Sequence, residues 1–487
     1  MAETNTMYNP HDFEIKIARI VWATGETLDI RPSIVEFNYF EDIFANQCSG
    51  YVMLNDSLNL DNKHSFNGNE YFIFSLQKKT VGLGINDDKP LNKILRIYNL
   101  KERNLTKDTN ENYIIHFCTE EFFVSQQYKI CKAYKNTKIV DIVKDIAFNF
   151  LKISKKEFLD ENAFDTRGTY DIIIPNLMPL EAINWLCTFA ISADSKLKGA
   201  TFLFYQDREG WNFKPLLAIY GDYIRYNKRK GIYKSYYYGT KNNTDAEGRT
   251  DLVDIDNILS YQILDSYDSF DSVQDGIFSN RLFTVNYLTR KHGIVDFKYT
   301  PYFEYLKTNL GLYRDFQPYG LMNNFENRFK DQYDQTPDQV LKFSYSTTDL
   351  DKNPYIKTHQ PDIKNNFLED AIEYRYAQLR LVSANRIKLA IPGDPYITVG
   401  DVIYVYLKSP GPVQEGSNLT KLKDKFYSGR YLVTAVRHRF NQESEFDTTL
   451  EVCKDSFESS VEGTNTPGLL SINNNHPNLS LIHISEP

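Results

Sequence analysis

Cysteine is scarce in this sequence. The five residues Cys48, Cys118, Cys131, Cys187 and Cys453 are odd in number and scattered, and no two stand at Cys-x-x-Cys spacing. That excludes a zinc ribbon and a thioredoxin-like motif. Long apolar runs are also lacking. The most apolar stretch, Ala182–Ile191, is interrupted by Asn184 and Thr188 and is too short to span a bilayer. The first residues, MAETNTMYNPHDF, are polar and contain no apolar segment of signal-peptide type. There is no excess of positive charge: 56 Lys+Arg face 64 Asp+Glu, a formal net charge of −8. A chain of that sign is not broadly built to coat nucleic acid or an anionic membrane. These absences predict a soluble protein made in a reducing cytoplasm.

What is present is length and aromatic side chains. At roughly 150 residues per domain, 487 residues correspond to about three domains. That suffices for hydrophobic cores without disulfide or metal staples. Hydrophobic residues at 41% and charged residues at 25% exclude global disorder. The 35 Tyr and 32 Phe favour pleated, half-buried surfaces and therefore β structure.

The first 130 residues read as short strands. Phe13, Ile15 and Ile17 alternate with polar or small neighbours, as do Val35, Phe37 and Tyr39. Further strand runs are Tyr51–Leu54, Tyr71–Leu76, Leu95–Leu100 and Tyr113–Cys118, separated by turn-rich stretches such as Gly82–Pro90 and Thr106–Asn112. The period then changes. Ile139, Ile142, Val143, Ile146 and Phe150 predict a helix over Thr137–Leu151, and Pro179 opens a second over Pro179–Ala193. Strands follow at Thr201–Tyr205 and Trp211–Leu216, joined by Asp207–Gly210. More are expected at Ser279–Leu288 and Ile294–Tyr299, then a helix over Leu368–Val382. The β signal is clearest near the end, in Ile387/Leu389/Ile391, Val402–Leu407, Gly429–Phe440 and Phe446/Thr448/Leu450/Val452.

No catalytic constellation emerges. His438 sits in a strand between Arg437 and Arg439 with no second ligand at metal spacing, which reads as a structural histidine. Gly82-Leu-Gly84 lacks the third glycine of a phosphate loop. Asn243–Asp254 has the oxygen pattern of a calcium loop, but with Asn first and Asp twelfth and with no helical flanks; a solvated acidic loop is the expectation. Arg225, Lys228, Arg229, Lys230 and Lys234 interleave with Tyr223, Tyr226, Tyr233 and Tyr236 and form the best nucleic-acid candidate. Set against an acidic chain, they read as a charged hairpin. Asp265, Asp268, Asp271 and Asp275 read as a solvated face. The expectation is therefore no enzyme, no catalytic or metal residues, no cofactor and no specific nucleic-acid binding or membrane insertion.

One ordered series is more specific. Pro392-Gly393-Asp394, Val399-Gly400-Asp401-Val402-Ile403, Ser428–Val433, Val436-Arg437-His438, Thr448–Val452 and Lys454-Asp455-Ser456 follow one another. Upstream stand Ile174–Pro179, Ala182–Leu186, Phe202–Tyr205 and Glu209–Phe213. In that order these motifs resemble the baseplate central hub protein of contractile-tailed phages, a family related to the hub region of type VI secretion spike proteins. The resemblance extends loosely over residues 13–457. It implies a mainly β protein with α+β parts, having two tube-like antiparallel β-barrels. The first would span 1–135, with 231–257 as a candidate completing strand, and the second 258–300 and 386–457. An α+β domain would occupy 136–230, an irregular or helical domain 301–385 and a tail 458–487. It further implies a homotrimeric ring, structural and not enzymatic, joining the hexameric tail tube (or its initiator) to the trimeric central spike within the baseplate wedges. Such a protein is a virion component assembled in the host cytoplasm. The net charge of −8 adds the expectation of an acidic lumen that lets DNA pass.

Three readings stay open beside this one: the hub of a secretion-system spike, a tail-associated cell-wall hydrolase and a carbohydrate-binding β-module on the tail. The last nine residues, Leu479–Pro487, read like the translation of a sequencing adapter; a genuine flexible tail is the alternative.

Overall fold

The computed structural model describes residues 13–57, 60, 66–78, 90–107, 110–158, 163–194, 197, 201–220, 233–238, 256–265, 279–286, 291–298, 302, 317–318, 341–345, 374–375, 377–379, 382, 385–408, 424, 426–441, 445–454 and 456–457. The first β unit contains β1 (Phe13–Val21), β2 (Thr27–Asp29), β3 (Ile34–Asp42), β4 (Ser49–Asp56), β5 (Tyr71–Lys78), β6 (Leu91–Lys107) and β7 (Asn110–Cys118). An α+β module follows: α1 (Glu120–Ser125), β8 (Ala133–Thr137), α2 (Ile139–Asp145) with a wider turn over Ile146–Phe150, β9 (Tyr170–Ile173), α3 (Pro179–Cys187), β10 (Phe202–Gln206), β11 (Trp211–Pro215) and α4 (Leu216–Tyr220). Then come β12 (Ser235–Tyr237), β13 (Ser260–Asp265), β14 (Ser279–Asn286), β15 (Lys291–Lys298), β16 (Gln317–Pro318) and β17 (Leu341–Tyr345). The chain closes with β18 (Arg386–Pro392), β19 (Val402–Tyr406), β20 (Gly429–Asn441), β21 (Phe446–Cys453) and β22 (Ser456–Phe457).

The alternation seen in the sequence matches the pleat. Along β4 every second residue is buried, and the buried face of β21 carries Phe446, Thr448, Leu450 and Val452. β1–β7, β12, β13 and β18–β21 form one thirteen-stranded sheet, running β13-β18-β21-β20-β3-β4-β7-β6-β5-β1-β2, with β19 beside β20 and β12 beside β19. The protein is thus mainly β with a large antiparallel sheet. Among the described residues no barrel closes, because β3 pairs with β20 and fuses the two expected β units into a single open sheet. Ser235–Tyr237, from the segment 231–257 considered for the first unit, runs parallel to Tyr404–Tyr406 of the second instead.

Three cores lie against this framework. One is aromatic and fills the first unit: Phe37, Phe72, Phe74, Tyr113 and Phe117. A second, aliphatic core contains Ile387, Leu389, Ile403, Val433, Leu450 and Val452. The third belongs to the α+β module, where Ile142, Ile146, Ile183 and Leu186 meet Phe202, Trp211 and Phe213.

Local differences from the sequence reading have physical causes. α3 stops at Cys187 because the chain beyond it is pulled into tertiary pairing, with Arg167 donating to the Ile191 carbonyl and Ala193 to that of Asp165. Its start is as expected: Pro179 is the first helical residue and the Glu181 carboxylate accepts the Met178 N–H at 3.2 Å. The β6–β7 hairpin runs through the polar stretch expected to be a turn, held by a two-pronged Arg103–Glu111 pair at 2.8 and 3.2 Å. The expected helix over Leu368–Val382 falls largely outside the described residues.

Candidate functional site

The place where the molecule's parts meet is the seam between β3 and β20. Its register runs from Ala435 opposite Asp42 to Asn441 opposite Glu36. Each side sends apolar residues into the other's core. Phe440 and Phe446, at the tip of the β20–β21 hairpin, are buried in the aromatic core of the first unit, and Ile43 past the end of β3 enters the aliphatic core of the second. Phe440 stacks on Phe37 with centroids 4.6 Å apart, and Phe13 lies 5.3 Å from Phe440 and 5.4 Å from Phe446. Gly393 is required beside this cluster, since a Cβ there would sit 1.9 Å from a Phe446 ring carbon.

Polar groups are buried along the same seam. His438 is 1% exposed. Its ring faces Tyr39 across the strand pair at 6.2 Å, and Nδ1 lies 3.1 Å from the Thr448 hydroxyl. Thr448 Oγ1 accepts the Asp394 N–H at 3.0 Å. Asp394 in turn accepts the hydroxyls of Tyr233 and Tyr236, each at 3.3 Å, and the N–H of Tyr396 at 3.0 Å. Burial pulls the His438 imidazole down to about 4, against the opposing pull of Asp394. Below its ordinary pKa the unfolded chain therefore binds a proton that the folded chain refuses. The stability contributed by neutral His438 is complete above pH 6.5 and is lost as pH falls toward 4, at up to about 1.4 kcal/mol per pH unit. In urea titrations from pH 7 to 4, the wild type should lose roughly 3 kcal/mol more than His438→Asn. Parallel pH curves for the two proteins would contradict this.

The sheet face turned away from the cores is continuous across the seam. On the second unit it carries Arg386, Lys388, Arg437 and Arg439 against Asp265, Asp447 and Glu451, with Glu36 on neighbouring β3. Arg386 donates to Asp265 at 2.6 Å and to Glu451 at 3.0 Å, and Arg439 lies 3.6 Å from Glu36. On the first unit the same face is aromatic and aliphatic. Phe40, Tyr51, His116 and Tyr98 form a row over four adjacent strands, at centroid spacings of 6.2, 5.9 and 6.1 Å, and Arg437 lies over Phe40.

At one end of the sheet, β13 is a different kind of surface. Tyr261 and Ile263 sit opposite the core residues Leu389 and Ile387. They continue the aliphatic row outward, yet they remain 36% and 37% exposed, with Leu264 at 38%. Among the described residues no strand pairs with its outer edge, although Tyr238 packs on Tyr261 at 4.8 Å; an apolar edge strand of this sort is a template for pairing with another chain.

The sequence candidates are placed as follows. Of the basic and tyrosine-rich stretch, Tyr233–Tyr236 are described; they face inward on Asp394, and Lys234 pairs with Asp256 at 2.7 Å. Asp265 is paired with Arg386. Residues 82–84, 243–254 and 268–275 lie outside the described residues. Among the described residues no group of three His, Cys, Asp or Glu side chains could hold a metal, and no helix is long and apolar enough to cross a membrane. Sequence reasoning missed Glu41. Its carboxylate is buried at the seam, and a lone acidic residue at a strand end carries no periodic signal.

Among the described residues the molecule is thus one large sheet with an apolar strand at one end and polar groups held in its interior. The sequence is similar to the probable baseplate hub protein gp334 of Vibrio phage KVP40, with 23% identity over 351 residues, covering 71% of this chain and 73% of that protein. Over most of its length the chain thus resembles a phage baseplate hub protein. No family model matches it. Among solved structures it is similar to the 43 kDa tail protein of prophage MuSo2 from Shewanella oneidensis (TM-score 0.48, 8% identity, covering 91% of this chain and 99% of that one). It is also similar to a tail protein from Neisseria meningitidis MC58 (TM-score 0.47, 9% identity, covering 91% and 97%).

Proposed function

We propose that this chain is the central hub of a contractile-tail baseplate, a structural virion protein that joins the tail tube to the central spike. The observation that carries the reading is the sequence kinship with a baseplate hub protein over 351 residues. The protein works by position and not by catalysis. Three copies form a ring in which the two sheet halves of each chain act as successive tube-like elements. The hexameric tube, or its initiator, sits on one side, the trimeric spike on the other, and the wedges surround the ring. Residues 1–135, 136–230, 258–300 with 386–457, and 301–385 are its functional divisions, assembled in the host cytoplasm. The sheet supports this: an edge like β13, with its apolar row partly exposed, suits a head-to-tail contact that closes into a ring.

The continuous outer face suits the lining of the passage. On the second unit Arg386 is paired with Asp265 and Glu451, and Arg439 with Glu36, so these cations give a polyanion no strong hold.

Size-exclusion chromatography with light scattering should give three times the 56.8 kDa chain mass, and the particle should capture spike and tube proteins. A stable monomer that captures neither would sink the reading, and clearing on a cell-wall zymogram would redirect it to a hydrolase.

A further inference from the structure

The turn of the β10–β11 hairpin, Asp207–Gly210, leaves Glu209 exposed, but Asp207 and Arg208 are half-buried and Gly210 is buried, and the turn sits at the seam between the two halves of the sheet. The turn is stiff in itself. Asp207 Oδ1 accepts the N–H groups of Glu209 and Gly210 at 2.8 and 2.9 Å, Oδ2 accepts the Asn212 side chain at 2.8 Å, and the Asp207 N–H closes on the Gly210 carbonyl at 2.9 Å.

Toward the first half it is held by Lys93, which is buried and donates to the Asp207 carbonyl at 2.6 Å. Asn46 donates to the Phe204 carbonyl at 2.5 Å, and the Cys48 thiol lies 3.6 Å from that of Gln206. Toward the second half it meets the loop between β18 and β19. The Arg208 N–H donates to the Thr398 hydroxyl oxygen at 3.0 Å, and its guanidinium lies over the Tyr396 ring at 5.1 Å. That loop is fixed in turn, because Gly400 donates to the Val433 carbonyl at 2.9 Å. Gly400 has φ +86°, and a Cβ there would come within 3.0 Å of the Tyr205 hydroxyl.

Glu41 ties the three parts together. It stands at the end of seam strand β3 and is 1% exposed. One carboxylate oxygen accepts the Thr398 hydroxyl and, at 3.3 Å, the Val399 N–H; the other accepts the Tyr39 hydroxyl at 3.1 Å. Three donors and no acceptor face it in this set, the arrangement an ionised carboxylate wants. Burial nevertheless pushes its pKa up, with Lys93 opposing. Burial opposes the charge while three donors from β3 and the β18–β19 loop converge on it, so the carboxylate fixes its neighbours in position. Strand pairing alone leaves that position open, since adjacent strands twist by anything from about 10° to 35°.

We propose that the Asp207–Gly210 turn is a wedge, clasped by Glu41 through Thr398, that sets the angle between the two halves of the sheet. Thr398 is a positioning residue: its hydroxyl donates to Glu41 and accepts from Arg208 at once. A fixed angle within the chain is what any closed arrangement of several copies needs.

The test compares Thr398→Val, which keeps the shape and loses the hydroxyl, with Thr398→Ser, which keeps the hydroxyl. Spin labels go at Leu105→Cys and Lys388→Cys, one exposed site on each half, in a Cys131→Ser background diluted with unlabelled chain. Thr398→Val should broaden the inter-label distance distribution and speed amide exchange at 207–211 and 397–401 at least tenfold, with β4 and β7 unchanged. Thr398→Ser should match the wild type. Lys93→Met, which cuts the wedge from the other half, should broaden the distribution in the same way and serves if Thr398→Val does not fold. An unchanged distance distribution, or faster exchange spread evenly over the chain, overturns the proposal.

Discussion

Replacing Phe440 by alanine is expected to lower stability by about 3–5 kcal/mol, the range for emptying a large aromatic site in a packed core. The magnitude follows from its surroundings. Phe440 is 3% exposed and touches Phe37 and Phe13 of the first unit, although it is carried by a strand of the second. Strand ends on either side of the cavity are held by ladder hydrogen bonds, so collapse onto the void is limited. The distribution of the effect matters as much as its size. Trp211→Ala, deep in the α+β core, should cost a similar amount and act on that module. Phe440→Ala should raise amide exchange in β1 and β3 as well as in β20 and β21, because one ring serves both halves. Chemical denaturation gives the first number and hydrogen exchange the second. A loss under 1 kcal/mol, or exchange confined to β20 and β21, would mean that the two units are stable separately and merely adjacent.

That joint effect could not be foreseen from periodicity. The alternation of Phe446, Thr448, Leu450 and Val452 was legible as a strand with one buried face, and it is one. Pro179 announced the start of α3 through the chemistry of helix ends. Pro392-Gly393-Asp394 and Val399-Gly400-Asp401 were legible as members of an ordered motif series. Their partners were not. Thr398 is bonded to Glu41 at a separation of 357 residues, and β20 meets β3 across nearly the whole chain. A strand's own pattern says which face is buried and says nothing about which neighbour it pairs with. The parallel placement of β17 beside β14 escaped for the same reason. Polar segments mislead in the opposite direction. The end of β6, at Thr106–Lys107, falls in the stretch expected to be a turn, yet it stays extended, with Arg103 paired to Glu111 across the hairpin. The candidate site was legible only as motifs whose order resembled a family; its geometry is a property of the seam.

The second large effect concerns the β13 edge. Ile263→Asp should convert the assembled particle to single chains and leave the fold of each chain intact. Ile263 sits opposite Ile387 and extends the aliphatic row of the second core to the end of the sheet, where 37% of it remains exposed. A chain alone loses little when that side chain becomes charged, because a half-open surface position is worth about 0.5 kcal/mol or less. A neighbour seated on the edge would instead have to bury a carboxylate with no partner, which costs several kcal/mol at each contact. Every contact of a ring repeats the penalty, so assembly should fail altogether and not weaken by degrees. An inward-pointing charge on an edge strand is also the device by which natural sheets stay monomeric. Light scattering should show the mass falling to that of one chain, with the circular dichroism spectrum and denaturation midpoint held. Lys101→Asp on the β6–β7 hairpin, far along the sheet from β13, should leave the mass unchanged. If Ile263→Asp still assembles, the copies meet elsewhere and the open edge needs another cover. If the wild type is itself a single chain at micromolar concentration, the ring fails before the edge is tested.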